Sequence, residues 1–317
     1  MSLRRRPAPL LIGSIALLAA GVALTGCAAS PADAGTTPAA AGASASSGSS
    51  VAGAETTTEQ ANETLVTQLI ADAFPDPDSP DAAAAVQAAV APDAVAHGAG
   101  LAAGPDGLLA QFRADHARVP GAQAVIKHQG ADGDLVAVHW QIAEDPNDER
   151  TGEAAVDLFR VTDGKITERW SFDQPIPQGT PASGNTNTMF SDLYEPGDQE
   201  STPTPDQDEA NKKLAVDAYN TLFRDHDVSV LDRAFDPNYL QHNSVAPNGT
   251  AALKSFFTGA SFPPQQAVLS VSDDGLVWIF SQPVGAGAND PFLAADIFRV
   301  DDGLIREHWD VVPTTAG

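Results

Sequence analysis

Apolar residues recur at helical spacing in two separate windows of the chain. In "QANETLVTQLIADAF", which starts at residue 60, Leu65, Leu69, Ile70 and Phe74 share one helical face. In "EANKKLAVDAYNTLF", which starts at 209, Leu214, Ala218, Tyr219 and Phe223 do the same. Further on, the period shortens to that of a strand in "GDLVAVHWQIA" and "DGLVWIFSQPV". Each strand-like run leads to a hairpin pattern, "DLFRVTDGKITERWSFDQP" from Asp157 and "DIFRVDDGLIREHWDVVP" from Asp296. "APDAVAHGAGLAAGPDGLLAQF" parallels "DPNYLQHNSVAPNGTAALKSFF" and sets His97 against His242. The same order is therefore written twice: helix, short helix, a loop bearing His, a third helix, then antiparallel strands. Helices ahead of a run of strands predict an α+β fold, with N-terminal helices packed on a curved antiparallel sheet in each of two tandem domains.

The ends of the chain read differently. Arg4, Arg5 and Arg6 precede an apolar run too short for a stable span, and "LTGC" follows. This predicts a lipoprotein signal over 1–26, with Cys27 lipid-modified and the protein exported and anchored at the extracytoplasmic face of the membrane. An ordinary secretory signal with an incidental cysteine is the alternative. Cys27 is the only cysteine, so an intrachain disulfide is impossible and stability must come from packed cores. Residues 27–58, rich in Ala, Ser, Gly, Thr and Pro, read as a disordered tether. The Pro-rich acidic stretch at 194–207 reads as a linker, which gives domains at 59–193 and 208–317. The net charge of −25 argues against nucleic-acid partners.

"YLQHNSVAPNGTAALKSFF" with "DIFRVDDGLIREHWDVVP" resembles the SnoaL-like polyketide cyclases of the nuclear transport factor 2-like superfamily. The first copy resembles them through "GDLVAVHW" and "DLFRVTDGKITERW". The resemblance implies two cone-like domains, each with a deep pocket lined by the concave face of its sheet. It also implies an intramolecular aldol condensation without metal or cofactor, in which an aspartate near the end of the last strand acts as acid and base. Carried over by position, that aspartate is Asp310. Its neighbour is Asp296, where the cyclases are expected to carry histidine. The family's habit of dimerising through the open sheet face implies that the domains pair within the chain or as a homodimer.

The residues can be read without the family. A turn centred on Asp302 sets 296 opposite 308 and 298 opposite 306, so Asp296, His308 and Asp310 project from one face. Such a His, flanked by carboxylates, is suited to proton exchange near neutrality. The resemblance adds that His308 and His242 complete the polar lining of the pocket. In the first copy the same pairing sets Asp157 against Arg169 as an ion pair, with Ser171 at the aspartate position. That copy is expected to keep a pocket, with His97 and His139, but to have lost the chemistry. "EHWD" also reads as a strand whose Trp309 packs in the core and whose charges satisfy one another. No metal site is expected: no HExxH or paired cysteines occur, and although Asp296, His308, His242 and Asp310 could converge in space, the resemblance implies a metal-free site. Taken together with the resemblance, these residues imply two functions. One is cofactor-independent acid/base catalysis of the aldol or isomerase type in the second domain, on a small hydrophobic carbonyl compound. The other is a non-catalytic ligand-binding or interaction module of the cell envelope.

Overall fold

The computed structural model describes residues 48–98, 100–196, 202–287 and 290–313. The first half holds α1 (Gly48–Ala73), α2 (Pro80–Ala89), β1 (Val90–His97), α3 (Gly104–Arg118), β2 (Gln123–Asp132), β3 (Leu135–Ala143), β4 (Glu153–Thr162) and β5 (Lys165–Pro175). The second half holds α4 (Pro205–Tyr219), the single turn α5 (Leu231–Ala234), β6 (Phe235–Gln241), α6 (Thr250–Gly259), β7 (Gln265–Asp273), β8 (Leu276–Pro283), β9 (Ala294–Asp301) and β10 (Leu304–Val311). Two five-stranded sheets result, in the orders β1-β5-β4-β3-β2 and β6-β10-β9-β8-β7. The α+β architecture read from the sequence is therefore present twice.

Local chemistry explains several boundaries. Ser79 caps α2 by accepting from Ala82 N–H, and Pro80 opens the helix. Thr204 and Gln207 form a capping box at the start of α4, inside the stretch expected to be linker. The helix α1 likewise starts at Gly48, inside the expected tether. Once its apolar face nucleates the helix, adding turns costs little. Residues 1–47, which include the expected signal and Cys27, lie outside the described residues. Among the described residues no helix is long and apolar enough to cross a membrane.

Two expectations need correction. The stretches before His97 and His242 are strands, β1 and β6, running parallel to β5 and β10, so each sheet is mixed. Both are edge strands, hydrogen-bonded on one side only, and Pro and Asp break their apolar alternation. The hairpin register also differs. Asp302 (φ 48°) and Gly303 (φ 69°) form a two-residue turn with left-handed backbone at both positions. A bulge at Arg306 adds one more residue, so Asp310 pairs with Asp296, and His308 with Phe298. The total slip is two residues, which preserves the assignment of faces. The first hairpin slips in the same way: Asp157 pairs with Ser171, and Arg169 with Phe159.

Each sheet covers its own helices on one face. The N-terminal helical core includes Phe74, Phe112, Trp140 and Phe159, and the C-terminal one includes Tyr219, Leu222, Tyr239 and Phe298. A third core joins the two halves. Leu158, Trp170, Phe172 and Phe190 pack there with Trp278, Phe280, Ile297 and Trp309. Every sheet is thus apolar on both faces, which leaves few places for charged side chains.

Candidate functional site

On the helix-facing side of the C-terminal sheet, β9 supplies Asp296 and β10 supplies His308 and Asp310. All three are less than a tenth exposed. His308 Nε2 lies 3.0 Å from Asp296 Oδ1, and its Nδ1 lies 2.8 Å from Gln241 Oε1. Asn243 Nδ2 donates to Asp310 Oδ2 at 2.7 Å. Asp296 Oδ2 and Ser281 Oγ are buried with the Tyr219 hydroxyl beside them, so this tyrosine belongs to the polar network of the site.

Burial pushes the Asp310 carboxyl above its usual range. His308 opposes the shift, the charge on Asp296 adds to it, and the Asn243 hydrogen bond opposes it. The phenols of Tyr219 and Tyr239 are also held well above their ordinary value, first by burial and then by these two carboxylates. They remain hydroxyl donors beside a carboxyl group that can take up a proton. Ligand-type atoms of Asp296, His308 and Asp310 all lie within 4.8 Å of one another, a spacing that would also suit a divalent cation bound by nitrogen and oxygen.

The structure unites Asp310, His308 and Asp296 as expected but places His242 elsewhere. His242 lies on the opposite face of the sheet, stacked on Trp309 with ring centroids 5.0 Å apart. Its Nε2 is 2.7 Å from Glu307 Oε1, and its Nδ1 contacts the Thr188 carbonyl. The cause is the alternation at the end of β6. Its last residue, Gln241, faces the site, and His242, whose N–H donates to the His308 carbonyl at 2.9 Å, turns away, while Asn243 just beyond the strand turns back to reach Asp310. Reading the stretch as a loop concealed Gln241 and Asn243. Recognising the strand would have revealed Gln241, its last residue, and pointed to Asn243 two residues on.

The N-terminal face also departs from expectation. Asp157 and Arg169 share the helix-facing side but form no direct ion pair. Asp157 accepts from Trp140 Nε1 at 2.7 Å and from Ser171 Oγ, while Arg169 donates to Gln111 Oε1 and to the Ala102 carbonyl. The two-residue slip of register separates the pair. His97 and His139 lie away from this face. His97 meets Glu168 at 2.9 Å and stacks on Trp170. His139 is fully buried between the sheets, its Nδ1 2.9 Å from His128 Nδ1. Burial, with His128 next, holds His139 well below the usual imidazole range. Sequence reasoning missed a group at the edge of the N-terminal face: Arg118 bridges Asp115 (3.0 Å), Glu153 (2.9 Å) and Asp173 (3.1 Å). These residues come from three distant segments, and no local motif links them.

Comparison with known proteins bears on the fold. Solved structures similar to part of the chain include a SnoaL-like family protein of Agrobacterium tumefaciens described as an isomerase. It is 17% identical, with 36% of this chain and 97% of that one covered and a TM-score of 0.31. A polyketide cyclase-like protein of Bacillus cereus is 22% identical over 36% of this chain and 74% of its own, with a TM-score of 0.30. An LEH-like epoxide hydrolase of M. tuberculosis is 24% identical over 37% and 85%, with a TM-score of 0.29. No curated protein matched the chain. The model of the SnoaL-like domain matches residues 70–169 and again 216–308, more than half of the chain and one match in each half. The chain therefore belongs to the SnoaL-like domain family and carries that domain twice.

Proposed function

We propose that the C-terminal domain is an acid/base site for a small hydrophobic carbonyl compound, with chemistry of the aldol or isomerase type. One observation carries this reading: Asp296, His308 and Asp310 are buried together on the helix-facing side of the sheet. Their ion pairing consists of the His308–Asp296 contact. Buried carboxylates without a matching cation hold or exchange protons. Removing a proton next to a carbonyl requires a base at the carbon and a donor at the enolate oxygen. In this arrangement Asp310 is the base, and the protonated His308–Asp296 pair or a tyrosine hydroxyl is the donor. Tyr219, Tyr239 and Phe298 pack around the three groups as core, so a ligand reaches Asp310 only by displacing them, and an apolar one suits the space they would vacate.

The tight burial of the three groups also favours a second reading, in which the domain binds such a ligand without turning it over. A thermal-shift screen of cyclic ketones and β-dicarbonyl compounds tests the site under either reading. The unmodified protein should be stabilised by members of the panel, with the shift lost in Asp310→Asn. Equal shifts in both proteins would remove the motive for assigning Asp310 a role.

We further propose that the protein is exported and lipid-anchored through Cys27, on the strength of the arginines, the apolar run and "LTGC". Metabolic labelling with a palmitate analogue should mark the unmodified chain and spare Cys27→Ala; labelling of both would count against the anchor.

A further inference from the structure

We infer that Gln241 and Asn243 are positioning residues that fix where the protons of the Asp296–His308–Asp310 site lie. This inference rests on the acid/base reading above but concerns groups that reading leaves without a role. Both residues flank His242: Gln241 ends β6 facing the site, and Asn243, just past the strand, reaches Asp310.

Hydrogen-bond accounting fixes the orientation of each amide. Gln241 Oε1 accepts the Asn243 backbone N–H at 2.9 Å. A backbone N–H can only donate, so the atom facing it is the oxygen. The same oxygen lies 2.8 Å from His308 Nδ1, so Nδ1 must carry hydrogen and donate. His308 Nε2 then sits 3.0 Å from Asp296 Oδ1. Two lone pairs do not face each other at that distance, so a second proton lies between them, on the ring or on the carboxyl. The His308–Asp296 pair consequently holds two protons and is neutral overall. It can give up the shared proton while Gln241 keeps the other in place.

Asn243 acts on the third member. Its Oδ1 accepts Val245 N–H at 2.8 Å, which fixes its own amide, and its Nδ2 donates to Asp310 Oδ2 at 2.7 Å. With Oδ2 so held, Oδ1 is the oxygen of Asp310 left to meet a ligand. One short stretch thus defines both partners of the exchange: a loaded donor pair and a base with one free oxygen.

The test reads proton positions and needs no substrate, so it separates this inference from the proposed chemistry. The full chain is labelled with 15N-histidine, and the His308 ring signals are identified by their loss in His308→Asn. At pH 7 the expected spectrum shows hydrogen on Nδ1 and a second, shared hydrogen at Nε2. A ring carrying hydrogen on Nε2 alone would overturn the inference without recourse to any Gln241 variant. Gln241→Leu removes the acceptor and should shift His308 to the ring protonated on Nε2 alone, whereas Gln241→Glu restores an acceptor and the original pattern. A Gln241→Leu spectrum like that of the unmodified protein, or a Gln241→Glu spectrum that loses the Nδ1 hydrogen, would contradict it. For Asn243→Leu, the 13C-detected titration midpoint of Asp310 should move upward, and an unchanged midpoint would remove Asn243 from the account.

Discussion

A carboxyl group buried in a packed fold must find a donor, a cation or a proton, and the two helix-facing surfaces meet this need differently. Asp157 is held by Trp140 and Ser171, which oppose but do not cancel the upward push of burial on its carboxyl. Asp310 has one amide donor and lies beside a neutral, proton-sharing pair, which suits exchange. Asp115 sits in the Arg118 cluster with its Oδ2 unpartnered. Its carboxyl is raised to about 7 by burial, opposed by Arg118 and reinforced by Asp157, Asp173 and Glu153. The native state therefore binds this proton more tightly than the unfolded chain does. Stability should rise as pH falls through about 7, because the raised group stops penalising the fold once protonated. Melting temperature is expected to increase from pH 8 to pH 6. Asp115→Asn should raise it at pH 8 and flatten the slope, the effect being on the order of a few kcal/mol. A melting temperature that falls over the same range in both proteins would refute the assignment.

Helices were legible because apolar residues repeat along them at 3.6, and central strands because, buried on both faces, they read as short near-continuous apolar runs. Leu65, Leu69, Ile70 and Phe74 announced α1, and the run from Leu135 to Ala143 announced β3. The edge strands were not legible: β1 reads "VAPDAVAH" and β6 reads "FDPNYLQ", patterns in which Pro and Asp mimic a loop. Hairpin register escaped for a related reason. A bulge is set by the conformation of one backbone residue, here Arg306, which no residue type announces. The faces of Asp296, His308 and Asp310 were nonetheless read correctly, since a slip of two leaves alternation intact. Missing β6 cost more, because it reversed the side assigned to His242 and hid Gln241 and Asn243.

Across the whole molecule, the duplicated hairpins and strands form a near-symmetric internal pair. Ala131 N–H donates to Asp273 Oδ2 at 3.0 Å, and Ser272 N–H donates to Asp132 Oδ2 at 3.1 Å, each residue matching its counterpart in the other copy. Such reciprocity marks an isologous contact. The symmetry fails at one charge. Lys212 pairs with Asp132 at 2.8 Å, whereas its counterpart Glu63 faces Asp273. Burial, with Glu63, Asp208 and Asp274 adding and the Ala131 hydrogen bond opposing, lifts Asp273 to about 6. At the centre of the contact a Cβ on Gly130 would meet the Trp278 ring at 2.7 Å. Gly130→Ala should therefore cost about 1–3 kcal/mol in urea unfolding, the usual range for an overpacked core. An unchanged midpoint would show that the two halves do not need this close approach.

The central claim is that Asp310 moves protons, and deuterium exchange tests it most directly. A ketone or β-dicarbonyl compound that stabilises the protein is incubated with it in D2O, and deuterium at the α-carbon is followed by mass spectrometry. The account predicts incorporation above the buffer rate for the unmodified chain and a loss of about 10²-fold or more in Asp310→Asn. Incorporation no faster than buffer, or equal in both proteins, would contradict it.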